Sequence, residues 1–426
     1  MTTQPPATRT PEAIAPAGQR PVLPPAAGLW VVTAAFATLM AFATVPTPLW
    51  PLYQVRDHFG PISVTIAFAA MVAGAVVTFP TLGHLSDHIG RRRVVVPALL
   101  LGIVAAVVMV VLPSLAGLVA GRFLTGVGVG LMASAATASI ADLRRTAHPD
   151  RPGSAGAGLI STAANLGGLA LGPLVAGAVA AWFPAPLVTP YVASAVVMVI
   201  AGALVLLTPE TVTRNSITGT RPVRFALRPG HRAAFGAASV VGFFAFALMG
   251  LFSSLGAIIV HGELRIASPF IAGLAPFTAF AASAVVQLAL GRLTLSRQLV
   301  TGTVLFPVGL ALTALSLYRP ALWLVLVAAG LAGAGAGLLF KGSVTQSALA
   351  AVPASRAGVL AVFFVIAYLG MGLPSVAFSL LIQYAPLNVT MIGFVAVLSA
   401  GTIAAVVTAL RTDRRQPAQR KKEFAR

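Results

Sequence analysis

Residues 83–93 read Gly83-His84-Leu85-Ser86-Asp87-His88-Ile89-Gly90-Arg91-Arg92-Arg93 and separate two long apolar segments, 61–82 and 94–113. The stretch is therefore a short polar loop between two membrane helices. Gly83 permits two helices to approach closely and Gly90 permits a tight turn. Asp87 offers an acceptor to helix-end amides or to an arginine. A plain basic loop is the alternative, but it would not need this spacing of glycine, aspartate and glycine.

The composition on both sides of this loop is that of an integral membrane protein. Of the 426 residues, 58% are hydrophobic and 9% are charged, whereas soluble chains contain about 25% charged residues. The apolar runs are continuous, which argues against a β-barrel, and the absence of cysteine removes disulfides and thiolate metal sites. We predict an all-α fold of twelve transmembrane helices, over 27–53, 61–82, 94–113, 115–142, 157–182, 186–208, 233–260, 267–290, 298–317, 321–348, 357–383 and 387–410.

Basic residues are distributed unevenly between the two sides of these twelve segments. One side receives most of the arginines and the basic C-terminal tail, and the other receives only Arg56, Arg265 and Arg319. By the positive-inside rule, both termini are expected in the cytoplasm, in a multi-pass protein of the plasma membrane, with a bacterial origin expected. The net charge of +19 therefore indicates loops at a lipid surface, and we expect no nucleic-acid partner.

The chain divides into two halves of similar length. We expect a Pro-rich disordered cytoplasmic tail over 1–26, a six-helix bundle over 27–208, a cytoplasmic connector over 209–232, a second six-helix bundle over 233–410 and a basic tail over 411–426. Three glycines of the fourth segment, Gly126, Gly128 and Gly130, recur in the tenth as Gly333, Gly335 and Gly337. This recurrence favours a duplicated six-helix unit, which is typical of transporters.

The loop at 83–93 resembles the signature of the major facilitator superfamily between its second and third helices. The resemblance implies two bundles that rock about a central site, and a conformational latch at Gly83, Asp87, Gly90, Arg91 and Arg92. It also implies a secondary transporter for a small molecule, driven by a proton or another coupling ion, and we expect it to be a monomer in the bilayer.

The fifth segment carries Gly168, Gly172, Pro173 and Gly177, a pattern similar to the one that marks exchangers in this superfamily, especially drug/proton antiporters. Ala176 departs from it, because it replaces the first glycine of the terminal pair. Small residues allow close helix packing and Pro173 frees a carbonyl. The resemblance implies export of a compound in exchange for protons, whereas a generic small-residue packing face is the alternative.

Arg122 lies about a third of the way into the fourth segment and, with the glycines that follow, looks like a second family signature. An arginine there costs at least about 2.5 kcal/mol, so it should face a wet cavity or a paired group; snorkelling is the alternative. Antiporters of this kind often carry a carboxylate in the first helix, which this sequence lacks. We therefore consider Arg122, Asp57 and Asp142 as transport or coupling residues.

Arg122 and Lys341 are the ionisable residues expected inside helices, so the cavity should be neutral to positive. Snorkelling is an equal alternative for Lys341. We predict that Asn165, Gln287, Lys341 and Tyr368 line the cavity, and that Trp50 and Trp323 anchor the chain at a membrane interface. A positive cavity repels lipophilic cations, so the expected substrate is a neutral or anionic lipophilic compound.

No metal-ligand spacing, nucleophile motif or phosphate-binding loop occurs in the sequence. We therefore expect no enzyme activity, no cofactor and no metal. Export is the preferred function. The alternatives are an uptake permease, working as a symporter or a uniporter, and a non-transporting membrane receptor or scaffold.

Overall fold

The structure, a computed structural model, describes residues 23–82, 85–149, 154–211 and 225–423. The first half contains α1 (Pro25–Thr44), α2 (Trp50–Asp57), α3 (Pro61–Leu82), α4 (Leu85–Ile89), α5 (Arg92–Val111), α6 (Leu115–Ala147), α7 (Ser154–Trp182) and α8 (Thr189–Leu206). The second half contains α9 (Arg232–Ser254), α10 (Gly256–Glu263), α11 (Pro269–Ala289), α12 (Leu295–Tyr318), α13 (Leu322–Ala350), α14 (Arg356–Leu381) and α15 (Leu387–Glu423).

Twelve helical segments are long and apolar enough to cross a membrane, counting α1 and α2 as one. The prediction of an all-α, multi-pass membrane protein is confirmed. Proline occupies the first turn of α1, α2, α8 and α11, where its missing N–H leaves no hydrogen bond unmade. Within the described residues no β-sheet forms; Leu227 and Ala351 make an isolated bridge.

Three boundaries differ from the predicted segments. The first segment is interrupted between Thr44 and Trp50 by a 3₁₀ turn, Thr47–Leu49. The seventh is divided into α9 and α10 at Leu255. The last helix continues to Glu423 instead of ending near residue 410. Most of the predicted N-terminal tail (1–22) and connector (212–224) lies outside the described residues.

The helices form two bundles. In the first, α6 packs against α1, α3 and α5, and α7 packs against α1; in the second, α13 packs against α9, α11 and α12. The bundles meet where α7 packs against α11 and where α3 packs against α14. The central cavity is enclosed between these two seams.

The recurring glycines occupy equivalent positions in the two bundles. A Cβ on Gly126 would overlap α3, and one on Gly333 would overlap α11, which is the second membrane helix of its half. Gly128 lies in the same way against α5, and Gly335 against α12, the third membrane helix of its half. The glycines therefore allow the same close helix approach twice, as a duplicated unit requires.

Candidate functional site

A cavity with a volume of about 1620 Å³ lies between the bundles. Its wall includes Ser86 and Arg91, which follow α3, Phe225, which precedes α9, and Ala354, which precedes α14. These residues lie in the short connections between membrane helices on one face of the protein. This face also carries Arg91–Arg93 and Arg144, and we call it the Arg-rich face. The cavity therefore opens toward the Arg-rich face.

The bundles are joined at the other face, which we call the closed face. Trp50 donates from Nε1 to the backbone carbonyl of Ser253, at 3.1 Å, which connects the first bundle to α9. The hydroxyls of Thr65 on α3 and Ser379 on α14 are 2.6 Å apart. Both hydrogen bonds are buried, and they hold the cavity shut on this face.

The predicted exchanger motif on α7 lies along the seam where α7 packs against α11. A Cβ on Gly177 would come within 2.6 Å of the carbonyl oxygen of Pro269 on α11, and a Cβ on Gly273 of α11 would overlap the carbonyl of Pro173. Glycine is needed at both positions because the two backbones are in contact. The motif thus forms part of the contact between the bundles.

The same motif also fixes α7 to α1 within the first bundle. Pro173 has no N–H to offer to the carbonyl of Leu169, and that carbonyl accepts a hydrogen bond from the hydroxyl of Thr44, at 3.0 Å. A Cβ on Gly172 would overlap the carbonyl of Ala41, and one on Gly168 would overlap the carbonyl of Ala37.

The cavity wall is mainly apolar and aromatic. Three of the candidate cavity residues, Asn165, Gln287 and Tyr368, lie in this wall, together with Thr137 and Ser283. No acidic side chain stands among the described lining residues, and Arg91 at the mouth is the charged one. Lys341 lies away from this wall: its ammonium donates to the backbone carbonyl of Gln287, at 2.8 Å, at the end of α11.

Arg122 is buried, with 1% of its surface exposed. Its Nη1 donates to the carbonyl of Ala43 at 2.6 Å, and its Nη2 lies 2.9 Å from the sulfur of Met71. The guanidinium also stands 5.8 Å from the ring centre of Phe68 and 6.0 Å from that of Trp50. Its Nε has no partner, and no ion pair between described residues includes Arg122. Snorkelling does not describe this buried side chain.

The break in the first membrane helix explains how the charge is accommodated. Pro46 and Pro48 cannot donate backbone hydrogen bonds, and α1 ends at Thr44 with its carbonyls directed toward the break. The C-terminus of a helix carries a partial negative charge, which a cation stabilises. Arg122 is therefore paired with the end of α1 and two aromatic faces rather than with a carboxylate.

Arg122 lies directly behind the floor of the cavity. Three of the residues that it contacts, Ala43, Phe68 and Met71, also line the cavity. Its positive charge consequently acts on any group that rests on this floor.

The predicted latch is anchored within the first bundle. Gly90 has φ +109°, a conformation that favours glycine, and a Cβ there would lie 2.6 Å from the Glu210 carboxylate. That carboxylate accepts from the backbone N–H of Arg91, at 2.9 Å, and of Arg92, at 3.2 Å. Gly83 and the side chain of Asp87 lie outside the described part of the chain.

The two candidate coupling carboxylates lie at opposite faces. Asp142 accepts from Arg91 at 3.3 Å and lies 3.6 Å from Arg145, so it belongs to the latch. Asp57 ends α2 and pairs with Arg56 at 2.6 Å, at the closed face. The structure does not bring Asp57 or Asp142 to the cavity wall.

Two helical bundles, a central cavity and glycine-rich seams agree with the family model "Major Facilitator Superfamily", which matches residues 31–298. The chain belongs to the major facilitator superfamily. This transporter is 30% identical over 141 residues to the "Bacillibactin exporter" of Bacillus subtilis (strain 168); the alignment covers 32% of this chain and 34%, about a third, of that relative.

Solved transporter structures share the fold. A variant of the nucleoside transporter NupG has a TM-score of 0.69 at 10% identity, with 90% of this chain and 99% of that chain covered. The human organic anion transporter MFSD10 has a TM-score of 0.65 at 17% identity, with 91% of this chain and 100% of that chain covered. The POT family transporter PepTSo has a TM-score of 0.71 at 12% identity, with 92% of this chain and 99% of that chain covered. The matched proteins are transporters and not enzymes.

Sequence reasoning misplaced Trp50 as well as Lys341, and it missed several residues of the transporter. Trp50 was predicted to be an interface anchor, but only 1% of it is exposed, because it packs between Arg122 and α9. Trp323 is 67% exposed, as expected. Three prolines near Trp50 signalled a broken helix and could have placed it inside. The cavity aromatics Phe79, Phe340 and Phe364 had no signal in the sequence.

Proposed function

We propose that this transporter exports a small lipophilic compound, neutral or anionic, by alternating access and in exchange for protons. The observation that carries the proposal is the cavity: its described wall is apolar and aromatic, lacks acidic side chains, and has Arg122 behind its floor and Arg91 at its mouth. Such a site favours an anionic or neutral ligand over a cationic one.

Two observations support the direction of transport. Pro173 and Gly177 of the exchanger-like motif lie in the seam between the bundles, and a relative matched over a third of its length is named an exporter. We place the Arg-rich face in the cytoplasm of a bacterial cell, since positive loops remain on that side. The cavity then faces the compartment from which an exporter takes its substrate.

Everted membrane vesicles with an acidic interior provide the test. Three lipophilic compounds of matched size, one neutral, one anionic and one cationic, are added while a pH-sensitive dye reports the interior. We expect the neutral and anionic compounds to dissipate the pH gradient and the cationic compound to leave it intact. Dissipation by the cation alone would refute the substrate class.

Two further results decide coupling and orientation. Downhill flux of the same compounds without any change in pH would refute proton exchange and favour a uniporter. Because the sequence has no cysteine, a single cysteine in place of the exposed Tyr384 reports sidedness. We expect an impermeant thiol reagent to label it from outside intact cells, and labelling only after lysis would refute the orientation.

A further inference from the structure

Five aromatic side chains form a closed ring on one wall of the cavity, and we call them the aromatic wall. Its members are Phe79, Phe246, Phe340, Phe364 and Tyr368, and all five line the cavity. Going around these five side chains, the centroids of successive aromatic rings are separated by 5.3 Å (79 to 364), 6.1 Å (364 to 340), 4.6 Å (340 to 246), 5.4 Å (246 to 368) and 5.2 Å (368 to 79). These separations lie in the range of favourable aromatic pairs, so the surface is held in place before any ligand arrives.

The aromatic wall faces the cavity instead of closing on itself as a core. Four of its members are only half-buried although they lie deep between the bundles. Aromatic surface that faces an open cavity is unfavourable until something apolar covers it. The hydroxyl of Tyr368 has no hydrogen-bond partner among the described residues, so it is available to donate to a ligand.

We infer that the aromatic wall is the subsite for a planar aromatic ring of the substrate, and that the Tyr368 hydroxyl donates a hydrogen bond to an oxygen acceptor on that ring. This inference rests on the proposed function, since it names the substrate class of the same cavity. Carboxylate and phenolate are the matching acceptors, because no acidic side chain in the described wall would repel them.

The aromatic wall joins the two bundles. Phe79 belongs to α3 of the first bundle, and the other four members belong to α9, α13 and α14 of the second. The ring plane of Phe79 is inclined by 16° to that of Phe364, a stacked pair that spans the seam. When the bundles rock, this pair must separate or slide, so a ligand stacked on the wall is bound differently in the two states.

The experiment distinguishes stacking from simple hydrophobicity. A naphthalene carboxylate and its fully saturated decalin analogue carry the same charge, but the saturated compound is the more lipophilic. Binding of each to the purified full-length protein in lipid nanodiscs is measured by calorimetry. We expect the naphthalene compound to bind about tenfold more tightly, as two or three ring contacts imply.

Four variants test whether the wall and the Tyr368 hydroxyl make these contacts. Phe364→Leu keeps an apolar side chain of smaller volume but removes the aromatic ring, so the preference should fall to about threefold or less. Phe364→Tyr restores the ring and should restore the preference, which separates stacking from misfolding. Phe123→Leu, at a position on α6 that is 40% exposed and outside the cavity, is the matched control and should retain the full preference. Tyr368→Phe should weaken binding of the naphthalene carboxylate but leave binding of naphthalene, which has no oxygen acceptor, unchanged.

Equal or tighter binding of the decalin compound would overturn the inference, and so would a preference that Phe364→Leu leaves unchanged. If both carboxylates dissipate the pH gradient in vesicles equally well, the proposed function survives and the aromatic subsite does not. If neither compound binds, the inference is overturned, and the vesicle assay with neutral compounds then decides the proposed function separately.

Discussion

Replacing Arg122 by methionine tests what the buried charge does. Methionine fills a similar volume without a charge, so the variant loses the hydrogen bond to the Ala43 carbonyl at 2.6 Å and the contacts with the rings of Trp50 and Phe68. Lysine at the same position is the matched control, because it keeps the charge and can still donate to Ala43.

The magnitude follows from the two roles of the side chain. Losing a hydrogen bond made by a charged donor costs about 1.5–3 kcal/mol, but removing the charge also relieves the unfavourable desolvation of a buried ion, so the net change in stability is small. For an anion on the cavity floor, about 8 Å from the guanidinium at an effective dielectric constant of about 20, Coulomb's law gives about 2 kcal/mol. This energy corresponds to a change in Kd of about thirtyfold.

The assay compares a lipophilic carboxylate with its methyl ester, which has nearly the same shape but no charge. We expect Arg122→Met to weaken binding of the carboxylate about thirtyfold and that of the ester less than about threefold, while Arg122→Lys retains most of the carboxylate affinity. If both ligands weaken equally in Arg122→Met, the reasoning is refuted, and the arginine serves only to support the break after Thr44.

Three other predictions follow from the seams and the latch. The double variant Thr65→Cys with Ser379→Cys should form a disulfide, because the native hydroxyls are 2.6 Å apart; oxidation should abolish flux and a reductant should restore it, whereas each single variant should transport under both conditions. Gly172→Ala should destabilise the protein by about 1–3 kcal/mol, seen as a lower unfolding midpoint, because a Cβ there would overlap α1. The control is Gly167→Ala, on the same helix, where a Cβ would meet nothing within 4 Å, and it should be neutral or stabilising. Equal effects of the two substitutions would contradict the packing argument. Glu210→Gln should destabilise the latch by about 1 kcal/mol, measured as faster proteolysis at the Arg-rich face, and an unchanged rate would show that the carboxylate contributes little there.

The helices were predictable because the membrane leaves few alternatives. A charge-free run of about twenty residues must form a helix in a bilayer, and the loop at 83–93 separates two such runs. The break after Thr44 was also signalled, since Pro46 and Pro48 lie inside one apolar run. What the prolines did not indicate was that Arg122, almost eighty residues further along, would supply the donor for Ala43.

The cavity wall was only partly predictable. Asn165, Gln287 and Tyr368 were candidates because polar side chains rarely face lipid, and the structure places them at the wall. Phe79 and Phe340 gave no such signal, because helices that are apolar on every side do not reveal which face is turned inward. The side chain of Lys341 was expected at the wall because it is charged, but a helix-end carbonyl satisfies it instead.

The uncharged contact between the bundles at the closed face determines how membrane voltage can act on this protein. The residues described at the seam, Trp50, Thr65, Pro173, Ser253 and Ser379, are all uncharged. Separating these five residues moves no formal charge of their own through the electric field, which acts on each translocated elementary charge with about 2.3 kcal/mol per 100 mV. The nearby charge is Arg122, which contacts Trp50 and moves with the first bundle. The voltage dependence of the transport current should therefore report the charges of the cargo and the coupling ion, together with any displacement of Arg122, and not the separation of the seam residues themselves. A neutral cargo and its anionic analogue would differ in that dependence by one elementary charge.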